Sequence, residues 1–179
     1  MADTSTHTVI DVLMAYPNGV RKMSKDIAGL VQTSLNLGIL STIKPDDQST
    51  NGMVSFKSSV RSSIGSEKDA LLNSLKSLAT LAGGTLTVTG DYPAWEYRED
   101  SPLRDLMVKI FKQQYGKEPV IQALHAGVEC GIFASKLPGL DCVSFGPDMD
   151  DIHTTNESMN VESVRRTWEY TLEILKELK

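Results

Sequence analysis

A chain of 179 residues, 40% hydrophobic and 23% charged, is long enough to bury a core as one domain or two small ones, and leaves little room for a large enzyme. Its 18 basic and 23 acidic side chains give a net charge of -5, which argues against a nucleic-acid surface. No apolar run approaches the roughly 20 residues of a membrane helix, and "MADTSTHTVIDVL" lacks the basic region and apolar core of a secretory signal, so the sequence predicts a cytoplasmic protein with no membrane partner.

Hydrophobic periodicity predicts an α/β order, clearest in the second half. "MVSFKSSVR" (53–61) alternates, placing Val54, Phe56, Ser58 and Val60 on one face and Met53, Ser55, Lys57, Ser59 and Arg61 on the other, so Arg61 emerges on the more polar side of a half-buried sheet. A helix follows in "SEKDALLNSLKSLATLAGG", with Ser66 as N-cap, Asp69 three residues on, a stripe of Leu71, Leu72, Leu75, Leu78 and Ala79, and Gly83 to end it. "TLTVTG" (85–90) reads as a strand. "GDYPAWEYREDSP", residues 90–102, is rich in turn formers and reads as a hinge.

Beyond it, Ser101 as cap, Pro102 at the first helical position and a stripe of Leu103, Leu106, Met107, Ile110 and Phe111 define a helix that Gly116 and Pro119 stop. "VIQALHA" (120–126) and "LDCVSFG" (140–146) read as strands of a parallel, helix-covered sheet. The final helix, from about Asn160, carries Val161, Val164, Trp168, Leu175 and Leu178 as its packing residues. Cys130 and Cys142 lie in apolar segments with no C-x-x-C, which predicts reduced, buried thiols.

In such a sheet, sites collect at the carboxyl ends of strands. That rule selects "LHAGVECGIF" (124–133), with His125, Gly127 and Glu129, and the acidic loop "PDMDDIH" ending at His153. His153 is a metal-ligand candidate by position, against the plain alternative of a surface histidine. His125 and Glu129 read equally as site residues or as a strand-end histidine and a glutamate held by a helix dipole. Gly127 lets backbone approach a ligand closely, or simply makes a turn. Arg61 suits a planar, bidentate grip on a carboxylate, or is a surface arginine. No Ser-His-Asp order, Gly-rich phosphate loop or H-E-x-x-H occurs, which removes support for nucleotide and serine-hydrolase readings.

Taken in order, "YPNGV" (16–20), "TSLNLGIL" (33–40), "VRSSIGS" (60–66), "DYPAWEYREDSP", "HAGVECGIF", "VSFGPDMDDIH" and "ESVRRTWEYTLEILKEL" resemble the aminoacyl-histidine dipeptidases, Xaa-His dipeptidases of a dinuclear-zinc metallopeptidase family. The resemblance implies a helix-covered α/β catalytic domain holding two zinc ions, interrupted by an inserted α+β lid that grips the dipeptide substrate and makes a homodimer. It implies that His153 is the last histidine ligand of one zinc, that Arg61 is the lid arginine on the substrate carboxylate, and that Gly127 contacts substrate through its backbone. For His125 and Glu129 it implies a site-lining role.

The same resemblance exposes departures. The family also uses an upstream H-x-D pair, a bridging aspartate, adjacent glutamates of which one is the general base, and an N-A-I-P lid segment; the chain has no H-x-D, no Glu-Glu and no N-A-I-P. Zinc needs three or four protein ligands and the reaction needs a base. The expectation is therefore a C-terminal portion of a longer enzyme, inactive alone, with residues 1–88 the later part of the lid, residues 89–179 the returning half of the catalytic domain, and "MADTSTHTVIDVL" a helix entered partway. The competing expectation, from another class, is a stand-alone, non-catalytic binding or dimerisation module derived from the lid.

Overall fold

The structure, a computed structural model, describes residues 3–43, 52–122 and 129–178. It divides into two compact units, one of residues 1–97 with 123–132, the other of residues 98–122 with 133–179.

The first unit opens with α1 (Asp3–Ala15), in which His7 is exposed, and continues into an antiparallel sheet of β1 (Gly19–Met23), β2 (Val31–Ile43) and β3 (Met53–Ser62) in that spatial order. The period-2 pattern of β3 holds except at Ser55: Val54, Phe56, Ser58 and Val60 are half-buried, Met53, Lys57, Ser59 and Arg61 are exposed, and Ser55, expected with the exposed set, is half-buried. Tyr16 lies over the covered face, its ring stacked on Phe56 and its hydroxyl 2.6 Å from Ser58 Oγ. β1 and β2 were not anticipated. In β2 the pairing steps from Leu37↔Ser58 to Ile39↔Lys57, so Gly38 is an extra, bulged residue, and a glycine inside "SLNLGIL" breaks the alternation that identifies a strand.

α2 (Gly65–Leu81) packs its predicted stripe inward, and Leu75 of α2 and the fully buried Leu35 of β2 are this unit's buried apolar side chains among the described residues. Its start differs from expectation. Ser66 is inside the helix, the N-cap is Ile64 with no side-chain cap, and Glu96 of the following linker supplies the missing acceptor, Gly65 N–H donating to its Oε1 at 3.2 Å. Lys68 ties the same linker down by donating to Asp91 Oδ1 and the Tyr92 carbonyl. Gly83 ends α2 as predicted, at φ 73 with its N–H on the Thr80 carbonyl.

The second unit is built on α3 (Pro102–Tyr115) and α5 (Val161–Glu177). α3 follows its sequence grammar: the Ser101 hydroxyl accepts from Arg104 N–H, Pro102 occupies the first turn, and Gly116 closes the helix in the left-handed region at φ 65. Met107, Ile110, Tyr170 and Ile174 are the buried cluster, ringed by Leu103, Leu106, Phe111, Tyr115 and Val143. The Tyr170 hydroxyl donates to the Met107 carbonyl at 2.6 Å, and the rings of Phe111 and Phe145 meet Tyr170 edge-on.

Two expectations fail in this unit. α5 faces its core with Ser163, Tyr170 and Ile174, leaving Val161 82%, Trp168 62% and Leu175 56% exposed, because Tyr170 supplies a ring and a hydroxyl that the core can use together. The segment 140–146 joins no ladder among the described residues, and neither do 85–90 and 120–122. "LDCVSFG" instead spends its side chains on the helices, Val143 and Phe145 on the core and Asp141 on the α3 N-terminus, where it accepts from Ser101 Oγ at 2.7 Å and from Leu103 N–H at 2.9 Å. The remaining elements are α4 (Glu129–Lys136) and a two-residue hairpin of β4 (Met149–Asp150) and β5 (Ser158–Met159). Cys130 and Cys142 form no disulfide, and both are half-buried and not fully buried as expected.

Candidate functional site

Arg61 stands one residue from the end of β3, opposite Ser34 of β2, with its side chain on the exposed face. The other face of the same strand end is closed. Thr33, opposite Ser62, is 3% exposed, and its hydroxyl lies 2.6 Å from Glu67 Oε2 and 2.8 Å from Ser62 Oγ. Gln32 adds its amide to the same Glu67 oxygen at 2.8 Å, and Lys22 of β1 pairs with Oε1. Burial opposes ionisation of Glu67, but the hydrogen bonds from Lys22, Thr33 and Gln32 outweigh it and hold the carboxyl at about 2. The chain therefore presents a guanidinium on one side of a strand end whose other side is pinned to α2.

Glu129 is the exposed first residue of α4, where the helix dipole favours a carboxylate. Gly131, one turn in, is buried: a Cβ there would lie 2.8 Å from the Pro93 carbonyl and 3.5 Å from Trp95 Cβ, so only glycine lets α4 rest on the "PAW" linker. His125 and Gly127 lie outside the described residues.

His153 sits in the second unit, in the loop that β4 and β5 close, and not directly at the end of a parallel strand. Its φ of 68 and the φ of 51 at Asp151 are left-handed, a conformation that costs a side-chain-bearing residue about 1 kcal/mol or more. Hydrogen bonds hold the loop in that shape. His153 N–H donates to Glu157 Oε2 at 2.7 Å, Thr154 N–H and hydroxyl both donate to the Asp151 carbonyl, and Asn160 N–H closes onto the Asp148 carbonyl at 3.0 Å. Asp148 is itself anchored to α5 through Ser163 Oγ and Arg166. His153 is thus an exposed imidazole on a backbone fixed from both sides.

Arg61 and Glu129 belong to the first unit and His153 to the second. Among the described residues no three or more histidine, cysteine, aspartate or glutamate side chains group closely enough to hold a metal ion. A single histidine does not make a zinc site, so the donor set described does not by itself fit the metal.

The sequence pattern of peptidase family M20/M25/M40 matches residues 11–177, which takes in both units and every described site residue. The chain belongs to this family. Within the M20 peptidases, it is 37% identical over 174 residues to the cytosol non-specific dipeptidase of Escherichia coli (strain K12), covering 97% of this chain and 34% of that one. Its fold matches the aminoacylhistidine dipeptidase of Vibrio alginolyticus at a TM-score of 0.86 and 34% identity, across 98% of this chain and 34% of that chain. The aminopeptidase PepT of Bacillus cereus shares the fold, at a TM-score of 0.73 and 20% identity, covering 96% of this chain and 44% of that one.

The M20 chain described here thus spans about a third of the length of the dipeptidases it matches at higher identity. Its fold is the mixed α/β fold of that family, whose peptidases are generally metal-dependent hydrolases. Among the described residues no helix is long and apolar enough to cross a membrane. Glu67 carries no distinguishing sequence signal, since acidic residues in a helix's first turn are common, and Glu96 and Asp141 act on helix starts 31 and 38 to 40 positions away, which no local motif reports.

Proposed function

We propose that the chain supplies the carboxylate grip and one metal ligand of a zinc dipeptidase acting on Xaa-His and similar dipeptides. Arg61 takes the C-terminal carboxylate of the substrate through paired N–H donors, Gly127 offers backbone, His125 and Glu129 line the same pocket, and His153 is a zinc ligand. Residues 1–88 serve as the later part of the lid and dimer interface, and residues 89–179 as the returning half of the catalytic domain, in a cytoplasmic homodimer without nucleic-acid or membrane partners. The remaining zinc ligands and the general base come from sequence outside these 179 residues, so the chain alone does not hydrolyse dipeptides.

The observation that carries this reading is Arg61 itself. An arginine on the exposed face of a strand end, in a chain of the M20 family that is similar to two dipeptidases, is a cation placed to meet an anionic substrate terminus. Lid and dimer roles gain support from the far end of the β2–β3 hairpin, where Ile39, Leu40, Ile43 and Met53 are all about half exposed.

The test compares a free Xaa-His dipeptide with its C-terminal carboxamide in an active peptidase carrying these residues. Arg61→Ala should lower kcat/KM for the free acid by well over about threefold, more than ~1 kcal/mol, and spare the carboxamide. Equal kinetics of wild type and variant on the free acid sink the assignment.

A further inference from the structure

The exposed and closed faces of the β3 end are made by neighbouring residues, and this juxtaposition gives Glu67 a task beyond stability. Ser62 follows Arg61, and Ser62 is bound to Thr33, which is bound to Glu67. An ionised carboxylate only accepts, so the Thr33 hydroxyl donates its hydrogen bond to Glu67, and the single hydrogen of the Ser62 hydroxyl is shared between Thr33 Oγ1 and the Ile64 carbonyl 2.9 Å away. Ser63 N–H donates to the Gln32 carbonyl at 3.0 Å, and Gln32 in turn donates to Glu67. Thr33 and Gln32 are 3% and 7% exposed, so a missing partner leaves polar groups orphaned away from water.

Strand register is strongly specified only where one face is held, because a slip by one residue moves every side chain to the opposite face. At the end of β3 this network adds a side-chain hold to the backbone ladder that pairs Arg61 with Ser34 and Ser62 with Thr33. It joins β1 through Lys22, β2 through Gln32 and Thr33, β3 through Ser62, and α2 through Glu67. Among the described residues Arg61 makes no side-chain hydrogen bond or ion pair on its own face, which is exposed. The face from which its guanidinium projects is set by the register of the strand end, to which the residue after it is tied.

We propose that Glu67 is a positioning residue for Arg61, fixing through Thr33 and Ser62 the strand end from which the guanidinium meets the substrate carboxylate. The inference rests on the reading that Arg61 binds that carboxylate.

The test measures KM and kcat for an Xaa-His dipeptide and for its carboxamide in an active peptidase carrying these residues, in a cycle of Arg61→Ala, Glu67→Ala and the double variant. Glu67→Ala should raise KM for the free acid at least about fivefold with kcat held within about twofold, leave the carboxamide unaffected, and add less than about twofold in the Arg61→Ala background. Thr33→Val, which removes the hydroxyl and keeps the shape, should reproduce the pattern if Glu67→Ala does not fold, and Thr33→Ser should restore wild-type KM. Loss of kcat on both substrates, full additivity with Arg61→Ala, or no effect overturns the proposal and leaves Glu67 a structural residue. If Arg61→Ala itself keeps the preference for the free acid, the functional reading falls and takes the positioning role with it; if Arg61→Ala alone abolishes the preference, only the positioning role falls.

Discussion

Arg61 and Ser62 face opposite sides of β3, and most of what this chain offers chemically follows from keeping them there. A comparable single-residue constraint acts at Gly131. A methyl group there would press on the Pro93 carbonyl, a backbone atom that cannot swing away, so Gly131→Ala should cost about 1–3 kcal/mol by overpacking. A thermal melt should show it as a fall of several degrees, and an unchanged midpoint would mean that α4 does not rest on the linker. His153, held at positive φ by its own loop, is the proposed zinc ligand. His153→Ala in an active peptidase should abolish hydrolysis together with bound zinc measured by elemental analysis; full metal content in an inactive variant would reassign it.

Elements divide by where their signals come from. α3 was legible because Ser101, Pro102 and Gly116 are local chemistry, read within one helix. The N-cap of α2 lies two residues before the expected one because its cap acceptor, Glu96, arrives from 31 positions away, a distance that no local motif reports. β1 and β2 were missed for a related reason: pairing is non-local, and a bulge at Gly38 disguises the period. Conversely, the β-rich composition of 85–90 and 140–146 predicted strands that find no partner among the described residues, since propensity says nothing of what lies alongside. In α5 the apolar count pointed to the wrong face, because the core chose Tyr170 with its hydroxyl bond to Met107. Tyr170→Phe should therefore lower stability by about 1 kcal/mol, seen as a shift in denaturant midpoint with unchanged slope.

The network on α2 has a pH signature. Glu67 ionises at about 2 in the fold against 4.5 for a free glutamate, so the unfolded chain binds the extra proton between those values. The folded state gains stability from this group that is fully present above pH 4.5 and is lost as pH falls toward 2, on the order of 3 kcal/mol. Denaturant unfolding between pH 2 and 5 should show that slope in wild type and a flatter one in Glu67→Gln. Parallel slopes would mean that Glu67 is not held as the structure has it.

At the scale of the molecule, family membership and α/β class were readable from an ordered series of short segments, and the match over residues 11–177 agrees with that reading. The metal centre was not assembled by the sequence, and no cluster among the described residues assembles it either. In the proposed reading His153, Arg61 and the start of α4 are parts of a peptidase site, and a complete zinc coordination sphere and a base are further parts. That division of labour is the central claim. It is tested most directly by purifying the 179-residue chain, loading it with zinc, and following hydrolysis of an Xaa-His dipeptide with and without chelator. The account predicts no chelator-sensitive turnover and no zinc retained after gel filtration. Chelator-sensitive hydrolysis that co-purifies with the chain, and is lost in Arg61→Ala, would contradict it by showing a working site within these residues alone.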